Sequence, residues 1–199
     1  MKHVENIPIC SNTLFIYKLD IKKDLTLKFK KEKFGSVNKP FESSASISED
    51  VNVLRKYKEL NKEIKKAVDE TLKKVLMLEN IDYRIFSSWL TKTKPQLFSD
   101  QHKHSNSWLS GVYYPKGNPG FGIKFYHDGM NQFFTPPKKY NIYNSHEWTV
   151  IPKDNYLILF FSHLRHQIMP NLSSEDRYSL AFNIIPKGNF GLVDSTVTF

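Results

Sequence analysis

The sequence predicts a mainly β, α+β fold: a double-layered antiparallel jelly roll supported by one long helix in its N-terminal half. Three observations lead there. Seven short strand-like runs follow one another in the C-terminal part, separated by Gly, Pro, Asn and Asp. Two further alternating segments stand near the N-terminus. Between these groups, residues 51–77 carry apolar side chains at three- and four-residue spacing, with no Gly or Pro inside. Strands in succession, without a helix after each, argue against a parallel sheet.

Taken in order, "LFIYKLDI" and "LTLKFKK" alternate apolar and polar residues and are both expected as strands. "GSVNKPFESSASISED" is rich in turn residues and reads as a loop. Its last residues, Ser48, Glu49 and Asp50, are good signals for a helix start. In the helix, Val53, Leu54, Tyr57, Leu60, Ile64, Val68, Leu72, Val75 and Leu76 form one stripe. The strand-like runs are "IDYRIFSSWLTKT", "SWLSGVYYP", "FGIKFYHD", "HEWTVIP", "NYLILFFS", "HQIMPN" and "RYSLAFNIIP". A barrel built from them can hold a small ligand at its mouth. The aromatic-rich "FYHDGMNQFFTPPKKYNIYN" is expected as a lid or substrate-facing loop.

A chain of 199 residues suits a single domain over 1–199. Within it, 1–84 supply N-terminal strands and the support helix, 85–186 the core and 187–199 a tail. The apolar runs are too short to cross a bilayer, and "MKHVENIPICSNTLF" lacks the apolar stretch of a signal peptide. With one cysteine, Cys10, no internal disulfide can form, and a cytoplasmic location is expected. The net charge of +9 raises nucleic-acid binding as a partner class. It is not favoured: Lys outnumbers Arg, acids alternate with lysines along the helix, and no recognition motif is present.

The chemistry concentrates in "FSDQHKHSNSWLSGVYY" and "FFSHLRHQIMPN". His102 and His104 project to one side of an extended segment, roughly 6–7 Å apart. Two imidazoles at that spacing can converge on one metal, with a third ligand from His163 or His166. Arg177 and Ser179 share a face of "RYSLAFN" and make a suitable carboxylate receptor. A surface ion pair of Arg177 with Glu175 or Asp176 is the plainer reading of that residue alone.

"HKHSNSWLSGVYY", "GIKFYHDG", "VIPKDNYLILFFSHLRHQIMPN" and "DRYSLAFNI" together resemble the 2-oxoglutarate- and iron(II)-dependent oxygenases. The likeness is greatest to a small branch with an HxH…SGVYY…HxxxPN…RxS pattern, and it spans roughly residues 85 to 186. It implies a double-stranded β-helix core, with His102 opening the metal motif and His166 as the distal ligand. It implies that Arg177 and Ser179 bind the far carboxylate of 2-oxoglutarate, with Tyr113 or Tyr114 adding a phenolic hydrogen bond. The implied cofactors are Fe(II), 2-oxoglutarate as cosubstrate, and O2. The implied reaction couples decarboxylation of 2-oxoglutarate to succinate with oxidation of an unknown prime substrate.

One position departs from the superfamily. Two residues after the first histidine most members carry Asp or Glu, completing a two-histidine, one-carboxylate set. Here that residue is His104. The expected ligands are therefore His102, His104 and His166, with Asp100 either replacing a ligand or orienting an imidazole N–H. Two other classes stay open. One is a three-histidine, cupin-like metalloenzyme without 2-oxoglutarate; the other is a non-catalytic jelly-roll binding module. His3, His127 and His146 are expected to be ordinary surface or turn residues.

Overall fold

Alternation along the strands, rather than any single motif, builds the frame. The computed structural model describes residues 3–5, 12–36, 45–78, 81–117, 120–127, 135–191 and 193–198. Cys10 and part of the expected lid loop lie outside them. The strands are β1 (Leu14–Lys18), β2 (Phe34–Ser36), β3 (Ser46–Ser48), β4 (Asp82–Thr93), β5 (Leu109–Tyr114) and β6 (Ile123–Tyr126). They continue with β7 (Glu147–Val150), β8 (Tyr156–Phe161), β9 (His166–Ile168), β10 (Arg177–Lys187), β11 (Asn189–Phe190) and β12 (Val197–Thr198). One sheet has seven strands in the order β1-β8-β5-β10-β4-β3-β2, and a second has three, β7-β6-β9. Every pairing in both is antiparallel. All seven expected C-terminal runs form strands, in the mainly β, helix-supported jelly roll that the sequence indicates.

The large sheet separates two cores. On one face Leu90, Leu109, Tyr113, Leu157, Leu159, Leu180 and Phe182 pack against Leu60, Ile64, Val68 and Leu72 of the helical region. On the other, Val112, Tyr114, Ile158 and Phe160 pack against Ile123 and Phe125 of the small sheet. Period-two alternation in β5, β8 and β10 assigns each side chain to its face. In β10 even positions through Ile184 face the helix, and Arg177, Ser179, Ala181 and Asn183 face the small sheet side. The pairing of β10 with β4 shifts register after Asn183, where Asn183 faces Ser87 and Ile184 faces Ile85. Phe86 is the extra residue of that bulge, a device that re-aims side chains beside sites.

Three local expectations are corrected. "LTLKFKK" is not a strand: Thr26–Phe29 form the short helix α1. The Asp24 carboxylate accepts bonds from the Thr26 N–H and hydroxyl, starting a turn that buries Leu25 and Phe29, four residues apart. The long helix is three pieces: a 3₁₀ turn Val53–Lys56, the α-helix α2 (Lys58–Glu70) and a π-helical end Thr71–Val75. Tyr57 interrupts it with φ −112° and ψ 67°, its ring buried against Phe29. Ser48 lies in β3 rather than capping a helix; its hydroxyl donates to the Asp50 carbonyl and accepts from the Leu90 N–H. β1 and β3 hydrogen-bond to β8 and β4, so N-terminal residues extend the same sheet as the core.

Among the described residues, no helix is long and apolar enough to cross a membrane. Lys58, Lys62, Lys65, Lys66, Lys73 and Lys74 are exposed on the helical region.

Candidate metal centre

His102 and His166 lie opposite each other in an antiparallel bridge, each backbone N–H donating to the other's carbonyl at 2.9 Å. The His104 N–H donates to the Ser162 carbonyl at 3.0 Å, which aligns this segment with the turn before β9. Pleating then directs all three imidazoles to the cavity. The available ring nitrogens of His102, His104 and His166 lie within 4.8 Å of one another. Each Nδ1 sits beside a hydrogen-bond partner. For His102 it is the Asp100 carbonyl at 2.8 Å, and for His166 the Leu164 carbonyl at 2.9 Å. For His104 the partners are Asn183 Oδ1 at 2.6 Å and Ser110 Oγ at 2.9 Å. With protons on the Nδ1 atoms, three Nε2 lone pairs are left for a cation, the arrangement metal-binding histidines take.

Electrostatics suits that purpose. Burial, together with the nearby His102 and His104 imidazoles, lowers the His166 pKa to about 3, against a weaker upward pull from its bond to the Leu164 carbonyl. Burial is also the main cause lowering His104. Neutral imidazoles are the form that binds metal. Asp100 acts on His102 through its backbone carbonyl. Its carboxylate is not part of the three-residue ligand cluster. His163 stands apart, exposed and stacked on Phe161 with ring centroids 6.0 Å apart.

The imidazoles open on a cavity of about 650 Å³, also lined by Phe86, Trp89, Tyr114, Phe160, Ser179 and Asn183. Next to it lies the most unusual group in the molecule. Arg177 is 6% exposed, and none of its three guanidinium nitrogens has a hydrogen-bond partner among the described residues. Its Cζ stacks 3.2 Å from the Phe121 ring centroid and 4.7 Å from that of Tyr114. The Tyr114 hydroxyl is likewise buried and unpartnered. Burial brings the guanidinium down to about 9, still cationic at neutral pH, and pushes the Tyr114 phenol up to about 12. Asp176, an ion-pair candidate for Arg177, is taken by Lys92 at 2.9 Å. A buried cation without a counter-charge costs several kcal/mol. An incoming anion removes that cost.

Of the two tyrosines proposed for the cosubstrate, Tyr113 must be corrected. It points to the opposite, helix-covered face, and its hydroxyl donates to Asn155 Oδ1 at 2.7 Å. Neighbouring strand residues cannot share a face, so only Tyr114 lines the cavity. Asn171, two residues beyond Met169 at the end of the histidine block, is a clamp. Its Nδ2 donates to the Thr93 and Glu175 carbonyls, fixing the turn that leads into Arg177. Sequence reasoning missed Phe121, Asn183 and Ser110. The signal for Asn183 was available: it continues the polar face begun by Arg177 and Ser179.

Comparisons with known proteins agree with this geometry. A comparison with curated protein sequences finds no match. Residues 87–183 match a family model described as "Putative 2OG-Fe(II) oxygenase". Among solved structures, a prolyl hydroxylase from Trichoplax adhaerens, in complex with a hypoxia inducible factor peptide fragment, is similar with TM-score 0.62 and 14% identity. That alignment covers 88% of this chain and 84% of the other. A prolyl-4-hydroxylase from Pseudomonas putida gives TM-score 0.55 and 16% identity, covering 87% of this chain and 92% of that one. HygX from Streptomyces hygroscopicus, solved with nickel, 2-oxoglutarate and hygromycin B, gives 0.58 and 11%, covering 87% and 82%. At these identities the structures establish a shared fold. The family match falls on the segment that carries all three histidines and Arg177, and it makes residues 87–183 a 2OG-Fe(II) oxygenase segment on the double-stranded β-helix fold.

Proposed function

We propose that the protein is an iron(II)- and 2-oxoglutarate-dependent dioxygenase that hydroxylates a prime substrate. The observation that carries this reading is the buried Arg177 guanidinium, without a hydrogen-bond partner among the described residues, two residues from Ser179 on the face that also bears the three-imidazole cavity. A metal alone does not account for it. A dicarboxylate does: a metal held by His102, His104 and His166 would take one end, and Arg177, Ser179 and the Tyr114 hydroxyl would take the other.

Bound iron(II) with 2-oxoglutarate and O2 supplies the oxidation, converting 2-oxoglutarate to succinate and carbon dioxide. The chain's own residues do the rest. Three neutral imidazoles would hold the cation without cancelling its charge. Phe121 and Tyr114 fix the plane of the guanidinium fork, so a carboxylate is met by a preset pair of donors. Phe160 and Ile123 exclude water from the same wall. Trp89 and Phe86 line the cavity from β4 and suit contact with the prime substrate.

The reading treats residues 1–199 as one oxygenase domain. The single cysteine of the chain supports a reducing compartment such as the cytoplasm. The exposed lysines of the helical region lie across the large sheet from the cavity, which supports a small or peptide substrate over nucleic acid. A cupin-like enzyme without 2-oxoglutarate leaves Arg177 unexplained. The test is succinate release from 2-oxoglutarate by the iron(II)-loaded protein, first alone and then across substrate panels. Succinate release that Arg177→Met abolishes is expected; failure to bind or turn over 2-oxoglutarate under any condition overturns the reading.

A further inference from the structure

We propose that Asn183 is the positioning residue that makes His104 a metal ligand, by fixing its imidazole with the proton on Nδ1 and the lone pair on Nε2. The inference rests on the three-histidine reading of the site and deepens it. A carboxylate presents equivalent oxygens to a cation, whereas an imidazole binds only through the nitrogen that lacks a proton. Placing histidine at position 104 therefore creates a requirement that Asp or Glu does not have. Something must choose the tautomer.

The three histidines meet that requirement differently. His102 and His166 face backbone carbonyls, those of Asp100 and Leu164, which can only accept. His104 alone relies on side chains: Asn183 Oδ1 at 2.6 Å and Ser110 Oγ at 2.9 Å. The Ser110 hydroxyl also donates to Asn183 Oδ1 at 2.9 Å, so that oxygen serves as acceptor for both neighbours. Ser162 Oγ, 2.8 Å from Ser110 Oγ and 2.8 Å from Ser107 Oγ, continues the chain into the buried interior. The register explains why these groups meet. Asn183 pairs with Ser110 across β10 and β5, and the β4 bulge begins immediately after Asn183.

The choice of an amide also has a consequence for charge. An aspartate at position 183 orients the ring equally well but adds a negative charge behind it. With asparagine the whole ligand set stays neutral, and a bound metal's charge would add to that of Arg177 beside the cavity. Such a cavity favours a dianion.

Two variants separate the roles. Asn183→Leu keeps the approximate volume and removes the acceptor; Asn183→Asp keeps the acceptor. Long-range nitrogen–proton NMR of the metal-free protein reads the His104 tautomer, and competition titration with Co(II) or Zn(II) reads metal affinity. The wild type should show His104 with its proton on Nδ1. Asn183→Leu should lose that preference and about ten- to a hundredfold in metal affinity. Asn183→Asp should keep the tautomer and bind metal at least as tightly as the wild type. If Asn183→Leu does not fold, the wild-type tautomer and the Asn183→Asp titration still decide. A proton on Nε2 of wild-type His104, an Asn183→Leu variant that binds metal as the wild type does, or an Asn183→Asp variant that binds it more weakly overturns the proposal. A wild type that takes up no metal overturns the reading of the whole site instead, and the two failures are thereby distinguished.

Discussion

The two faces of the large sheet come from the same strands and solve opposite problems. The helix-covered face buries Leu90, Leu109, Leu157, Leu180 and Phe182 at 0% exposure, all apolar. Its energy is packing, complete once the chain is folded. The other face buries Ser110, Arg177 and Ser179 with Tyr114, opposite His166 of the small sheet, and leaves the Arg177 nitrogens and the Tyr114 hydroxyl unpartnered among the described residues. That face is incomplete by its own chemistry. The difference teaches where to look for function: the polar members of an otherwise apolar strand are costly in the free chain and useful only when a ligand satisfies them.

Truncation on the two faces should therefore have opposite signs. Phe182→Ala empties a fully buried site and should cost about 3–5 kcal/mol, read by denaturant unfolding. Arg177→Met removes an unpaired buried charge and should leave the metal-free chain as stable or more so. A destabilised Arg177→Met chain would mean that the guanidinium has a partner within the fold. Next in size is the ligand set. His104→Ala should weaken metal binding by more than about tenfold, since losing a ligand should cost no less than losing its outer partner. His163→Ala should leave metal binding unchanged, and calorimetric titration ranks the two. Arg177→Lys keeps the charge but loses the fork, so 2-oxoglutarate should bind about ten- to a hundredfold more weakly to the metal-loaded protein. Metal affinity measured without cosubstrate should not move.

The last effect is on pH. His166 is held neutral to about 3 in the folded chain, while its ordinary value is 6.5. The unfolded chain therefore binds the extra proton as pH falls through about 6.5, and the folded chain does not until about pH 3. The His166 contribution thus lowers metal-free stability between those values as the solution is acidified, and has no effect above them. Melting temperatures of the wild type and His166→Gln across that window check the sign: the wild type should fall more steeply with acid.

Much of the fold was legible because alternation and helical spacing are local properties. The seven C-terminal strands, the apolar stripe of the helical region apart from Val75, which the structure leaves exposed, and the shared face of Arg177 and Ser179 all follow from counting residues. Four features were not, each for a physical reason. Asp24 turned "LTLKFKK" into helix by satisfying its first donors, although its alternation fits a strand equally well. Tyr57 breaks the helix because its ring is drawn into a contact with Phe29, a tertiary event. At the site, the histidines were visible from spacing and resemblance, but Phe121 is an ordinary aromatic until the fold lays it on Arg177. The choice between Tyr113 and Tyr114 needed the register of β5 against β10, which fixes which of the two faces the cavity.

The central claim is that three imidazoles and one buried guanidinium form a single site for a metal and a dicarboxylate together. Titration of 2-oxoglutarate into the protein under anaerobic conditions, with and without iron(II), tests it most directly, because a cosubstrate held at both ends must bind better when the metal is present. Affinity should rise at least about tenfold with iron(II), and iron(II) should gain the same factor from 2-oxoglutarate. Equal 2-oxoglutarate affinity with and without the metal would contradict the account, leaving the three histidines and Arg177 as two unrelated neighbours.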